Sequence, residues 1–170
     1  MRFLRTIFLM VAAVLVASAA PAVVLVVRHA EKEAAPADDP GLTTVGKQRA
    51  AELALVVQAW SAGGAPVRAL FATELKRTQQ TLRPLSAATG IAVSQVKAKD
   101  TAALVKEIMA VEGGIVVVAG HSNTVPDIVR ALGGPAGIVI EDSEFDRLFA
   151  LTQPGARARV VLLRYATKVP

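Results

Sequence analysis

The sequence predicts a three-layer αβα fold: a mostly parallel central sheet of five to six strands with helices on both faces. Two runs, Val23–Val27 and Ile115–Ala119, are unbroken apolar stretches rich in β-branched residues, the pattern of strands buried on both sides. Between them, shorter strand signals alternate with segments whose apolar residues recur at helical spacing. Glycine pairs separate the segments at Gly63-Gly64, Gly113-Gly114 and Gly133-Gly134.

The first strand, Val23 to Arg28, runs into a polar loop from Glu31 to Gly41 that holds Pro36, Asp38, Asp39 and Pro40. Thr43 or Thr44 caps the next helix, with Leu53, Val56, Val57 and Trp60 on one face. Val67 to Ala72 is the second strand. Thr73-Glu74 then supplies a cap and an early acid for a helix with Leu75, Thr78, Leu82 and Leu85 in register. Pro84 predicts a kink or an early end to that helix, which otherwise reaches Gly90. Ile91 to Val96 is the third strand, and Asp100 or Thr101 caps a helix carrying Leu104, Ile108 and Val111. After the fourth strand, Ile115 to Ala119, Thr124-Val125-Pro126 reads as a helix start. Leu148 to Thr152 and Arg159 to Arg164 form a closing pair of strands around Pro154-Gly155.

Residues 1–22 read as a signal peptide: Arg2 and Arg5 precede the apolar stretch Ile7 to Ala17, with small residues for cleavage near Ala19 or Ala22. Cleavage after Ala19 is preferred, because the later cut leaves Val23 at the raw end of a core strand. The expectation is therefore an exported chain, periplasmic or secreted, whose residues 23–170 form one domain without stable membrane association. There is no cysteine, hence no disulfide and no thiolate chemistry. The formal charge is +5, but two of the nineteen basic residues lie in the leader; seventeen against fourteen acids leaves only +3. No basic run interleaved with aromatics is present, so nucleic acid is not the expected partner. The oligomeric state has no sequence signature.

The only two histidines each end a strand, as Arg28-His29-Ala30-Glu31 and Gly120-His121-Ser122-Asn123-Thr124. In an open α/β sheet the C-terminal strand ends share one rim, where ligands bind. Two imidazoles and an arginine there suit an anion, phosphate above all. Alternation puts Arg28 and His29 on opposite faces of the strand unless the chain bends. Gly120 is expected to allow a sharp turn, with Ser122, Asn123 or Thr124 capping the helix that follows. Arg77, early in the helix after the second strand, faces the same rim.

These two segments, together with Thr73-Glu74-Leu75-Lys76-Arg77-Thr78-Gln79-Gln80-Thr81, resemble in order and spacing the motifs of the histidine phosphatase superfamily, the phosphoglycerate mutase-like fold. The resemblance spans about Val23 to Tyr165. It implies a phosphatase acting on a small phosphorylated substrate, with His29 attacking phosphorus and carrying the phosphoryl group. It assigns Arg28, Arg77 and His121 to the phosphoryl oxygens, with Ser122 and Asn123 beside them, and implies no metal or other cofactor. Ala30 stands where glycine is more usual, and Ala34-Ala35-Pro36 replaces a polar residue that larger members carry. For the proton donor the candidates are Asp100, which is preferred, and Glu31; Asp142 and Asp146 rank behind them. The alternatives are a protein phosphohistidine phosphatase, a non-catalytic phosphate or phosphosugar binding module, and a metal site on His29 and His121, which the fixed cation of Arg28 disfavours.

Overall fold

The computed structural model describes residues 20–156 and 158–166, so the expected leader through Ala19 lies outside the described residues. Six strands form one sheet: β1 (Val23–Arg28), β2 (Val67–Ala72), β3 (Val93–Gln95), β4 (Ile115–Gly120), β5 (Arg147–Thr152) and β6 (Arg159–Arg164). Their order is β3-β2-β4-β1-β5-β6. β1, β2 and β3 run parallel to the strands they share with β4 and β2, while β5 is antiparallel to both β1 and β6. Four helices complete the fold: α1 (Thr44–Ala62), α2 (Lys76–Thr89), α3 (Thr101–Met109) and α4 (Thr124–Ala131).

Alternation along β1 explains its unbroken apolar run. Leu25 and Val27 enter a core with Leu53 and Val57 of α1 and Leu82 and Leu85 of α2. Val24 and Val26 enter a second core with Leu104 and Ile108 of α3 and Ile128 of α4. Each strand's helix thus falls on a definite face. β4, followed by α4, lies between β1 and β2, whose helices cover the opposite face. A crevice therefore opens beside β4 at the C-terminal rim.

Several local expectations need correction. α2 begins at Lys76, and neither Thr73 nor Glu74 caps it; instead Asp39, from the loop after β1, accepts a hydrogen bond from the Lys76 N–H at 2.8 Å. The Thr73 hydroxyl is committed elsewhere. Pro84 does not end α2, which continues to Thr89 while Leu82 and Leu85 on either side stay fully buried. Packing of those neighbours outweighs the backbone bond that proline cannot donate. β3 is only Val93–Gln95, shorter than the expected Ile91 to Val96. Asn123 occupies the cap position of α4 without a side-chain bond, and the Thr124 hydroxyl accepts instead from the His121 N–H at 2.9 Å. Gly120 remains within β4; its missing Cβ makes room for Thr124 Oγ1, which would lie 2.9 Å from it.

Thr43 caps α1 as expected, accepting from the Gly46 N–H at 3.0 Å. Gly46 matters for a second reason. A Cβ there would stand 2.2 Å from the carbonyl oxygen of Glu31, so only glycine lets α1 lie against the loop that follows His29. Gly46→Ala should therefore destabilise the fold by about 2–3 kcal/mol, despite alanine's better helix propensity. Urea unfolding checks this, and an unchanged midpoint would contradict it.

Candidate active site

The loops after β1, β2 and β4 meet at the rim. His29 directly follows β1, and its N–H still bonds to the Gly120 carbonyl at 2.8 Å, holding it against β4. Its ring is only 4% exposed, and Nδ1 lies 2.7 Å from the carbonyl oxygen of Ala30. A carbonyl only accepts, so Nδ1 carries the proton and a neutral ring has its lone pair on Nε2. The His121 ring stands edge-on to it, with centroids 5.3 Å apart.

The segment Thr73 to Thr81 serves both imidazoles. Thr73 Oγ1 lies 3.0 Å from His121 Nε2 and 2.8 Å from Thr78 Oγ1, and it accepts from the Leu75 N–H at 3.3 Å. One turn further on, Thr81 Oγ1 donates to the Arg77 carbonyl at 2.8 Å and accepts from the Ala30 N–H at 2.9 Å. The two ends of the motif therefore grip different histidines: Thr73 holds the His121 ring, while Thr81 holds the peptide that holds His29. Thr78 and Thr81 are fully buried yet fully bonded, as buried hydroxyls require.

Arg28 wraps the segment before β5. Its Nη1 donates to the carbonyls of Glu141, Asp142 and Glu144 at 2.8, 3.1 and 3.2 Å, and its guanidinium lies 4.2 Å over the Phe145 ring. Phe145 also stands 6.1 Å from the His29 ring. The other edge of the guanidinium is uncommitted. Nε is buried without a partner, and Nη2 meets only the exposed Asp142 carboxylate at 3.7 Å. Arg77 shows the same feature, a buried Nε with no partner among the described residues.

The remaining expected residues are placed differently. Both carboxylate oxygens of Glu31 bond to Arg49: Nε to each at 2.9 Å, and Nη2 to Oε1 at 2.7 Å. Asp100 caps α3, with Oδ1 accepting from the Ala103 N–H at 2.9 Å, and lines a small crevice with Thr73, Gly120 and Thr124. Asp146 is taken by Arg164. Ser122 is half-buried and Asn123 exposed at the turn after His121. Sequence reasoning passed over Arg49, Phe145 and the Thr73–His121 contact. A lone arginine in an amphipathic helix and a lone phenylalanine in a loop carry no spacing signal.

Residues 24–100 match the family described as histidine phosphatase superfamily (branch 1). The matched stretch carries both His29 and Arg77. Solved structures of the same fold include SixA from Agrobacterium tumefaciens, assigned as a phosphohistidine phosphatase, at 22% identity and TM-score 0.58, covering 84% of this chain and 97% of that one. The protein histidine phosphatase SixA complexed with tungstate matches at 17% identity and TM-score 0.64, over 84% and 96%. A mycobacterial glucosyl-3-phosphoglycerate phosphatase with inorganic phosphate matches at 15% and TM-score 0.63, over 83% and 95%. No curated protein matches the sequence.

Burial drives both rings toward the neutral form. Desolvation pushes His29 down to about 3; the Ala30 bond opposes this, and His121, Arg28 and Arg77 add to it. His121 is pushed down to about 4 by desolvation and then Arg77, against Glu74. Arg28 is also lowered by burial, which Asp142, Glu31 and Glu144 oppose. An incoming anion relieves this crowding of cations.

A pH dependence follows with a definite sign. The unfolded chain protonates each imidazole near pH 6.5, the folded chain only near 3 and 4. Their contribution to stability is complete above about pH 6.5 and is lost as pH falls toward 4, by about 1.4 kcal/mol per pH unit for each ring. Inorganic phosphate should flatten this acid limb by favouring the charged rings, and at a hundred times its Kd should add about 2.7 kcal/mol. Unfolding midpoints between pH 8 and 5, with and without phosphate, check both statements. A phosphate-independent limb would contradict the anion site.

Proposed function

We propose that the chain is a histidine phosphatase that hydrolyses a phosphomonoester through a covalent phosphohistidine on His29. The observation that carries this reading is the combination of a His29 Nε2 lone pair with two buried, unpartnered arginine Nε–H groups at the same rim. A phosphoryl group satisfies all of them together: phosphorus meets the lone pair, and its oxygens meet Arg28 and Arg77. Two proteins of the same fold are described in complex with tungstate and with inorganic phosphate, which supports an oxyanion as the kind of ligand.

In the first step, Nε2 of His29 bonds to phosphorus as the bond to the leaving oxygen breaks. Arg28, Arg77 and His121 hold the three remaining oxygens as their charge redistributes. Ser122 and Asn123 border the substrate. In the second step, water adds to phosphorus, the N–P bond breaks, inorganic phosphate leaves and the lone pair returns to Nε2. Asp100 is the proposed donor of the proton to the leaving oxygen. Among the described residues its Oδ2 is uncommitted, and it lines a crevice with Thr73, the residue that holds the His121 ring, whereas both Glu31 oxygens are engaged by Arg49.

A protein phosphohistidine phosphatase is the second reading. The commitment of the Glu31 and Asp146 carboxylates to arginines favours it, because an imidazole leaving group carries its own proton. For location we propose export. The Gly113 N–H bonds to the Ala20 carbonyl at 3.1 Å and the Ala22 N–H to the Gly114 carbonyl at 3.0 Å, which supports cleavage after Ala19 rather than Ala22.

His29→Ala should lower turnover at least ~1,000-fold, and His121→Ala less, since only the first removes the covalent step. Rapid quench with labelled substrate should trap an acid-labile, base-stable phosphoryl group on the wild type alone. Turnover by purified His29→Ala comparable to wild type would end the proposal. Asp100→Asn, which keeps the helix cap, should slow alkyl phosphates about 100-fold or more and leave nitrophenyl phosphate nearly unaffected. Equal rates on both esters would remove Asp100 from the proton transfer and favour the phosphohistidine reading.

A further inference from the structure

Among the described residues, the side chain that joins the His29 loop to the end of β6 by hydrogen bonds is Arg49, which lies in α1 and is 8% exposed. One edge of its guanidinium grips the Glu31 carboxylate through Nε and Nη2. Nη1 donates to the carbonyls of Ala166 at 2.7 Å and Tyr165 at 3.4 Å. Burial works against its charge, and the bond to Glu31 more than compensates, raising its pKa.

The contacts continue in both directions and meet in the site. From Glu31 the chain steps back one residue to Ala30, whose carbonyl accepts from His29 Nδ1 and whose N–H is held by Thr81. The Glu31 carbonyl accepts from the Thr43 N–H at 3.0 Å, with Gly46 packed against it. At the other end, the Tyr165 N–H donates to the Asp146 carbonyl at 2.9 Å, next to Phe145. The segment Glu141 to Phe145 is what Arg28 wraps. His29, Ala30, Glu31, Arg49, Tyr165, Asp146 and Arg28 form a circuit from nucleophile to phosphate clamp.

We propose that Arg49 is a positioning residue for the phosphoryl transfer, setting the His29 ring through the Glu31–Ala30 peptide and tying it to the Arg28 clamp through the end of β6. This rests on the phosphatase reading above. Arg49 touches no reacting atom. Without it, the Ala30 carbonyl loses one of its restraints, and the Nδ1–H tautomer that leaves Nε2 free is no longer uniquely held. Glu31 would also be left as a half-buried carboxylate without its cation.

The test uses Arg49→Ala and Arg49→Lys in the full chain, the lysine reaching Glu31 or the β6 carbonyls but not both. Expected is a kcat lower by about 10- to 100-fold in Arg49→Ala and by less in Arg49→Lys, with KM and the Kd of inorganic phosphate within twofold of wild type. Nitrogen-15 NMR of the imidazoles, simple with two histidines, supplies a readout independent of turnover. It should show a single Nδ1–H tautomer for His29 in wild type and a mixture in Arg49→Ala. If Arg49→Ala does not fold, the same spectrum and kcat of Arg49→Lys decide. A folded variant with unchanged kcat and an unchanged His29 tautomer overturns the proposal, as does a loss confined to KM. If wild type turns over no phosphate compound, the functional reading fails while the NMR comparison still judges the role of Arg49.

Discussion

One hydrogen bond, from His29 Nδ1 to the Ala30 carbonyl, determines what the rest of the site can be. It decides which nitrogen keeps its lone pair, and in a buried imidazole with a depressed pKa that lone pair stays available at neutral pH. Thr81 holds the N–H of the same residue, and Gly46 admits α1 to the neighbouring peptide. The surrounding polar side chains either aim at an anion or keep this short stretch of backbone in place.

The sheet makes the arrangement possible. β4 is a fully buried strand between two neighbours whose helices cover the opposite face, and the three loops leaving this trio end within reach of one another. The cost is the confinement of two arginines and two imidazoles in a space that excludes most water. That confinement disfavours charge on both histidines and leaves two arginine N–H groups unpaired. Ligand-free, the site is destabilised by its own charges, and the same unfavourable balance makes it receptive to a dianion.

The sheet and the principal site residues were legible because they leave marks of spacing. Alternation and β-branching announce β1 and β4, and His29, Arg77 and His121 sit at the offsets expected for strand-to-helix junctions. What was not legible depends on contacts between distant segments. The cap of α2 comes from Asp39, thirty-seven positions away, so the local pair Thr73-Glu74 misled. Pro84 reads as a breaker because sequence alone does not weigh the packing around it. Gly120 looks like a turn residue, whereas its role is a close approach by Thr124. Glu31 beside His29 resembles a proton donor until Arg49, eighteen residues on, is seen to hold both oxygens. Periodicity reports which face a residue occupies, not which partner it finds there.

Arg28 reads the segment before β5 almost wholly through backbone carbonyls, at Glu141, Asp142 and Glu144. Any amino acid supplies a carbonyl, so the exposed side chains of Glu141 and Ser143 are free to change without loosening the clamp, and that of Asp142 adds only a long ion pair to it. The segment is thus a platform whose shape is inherited from Arg28 and whose chemistry is open to drift. Point mutations there alter what borders the rim while leaving the position of Arg28 unaltered.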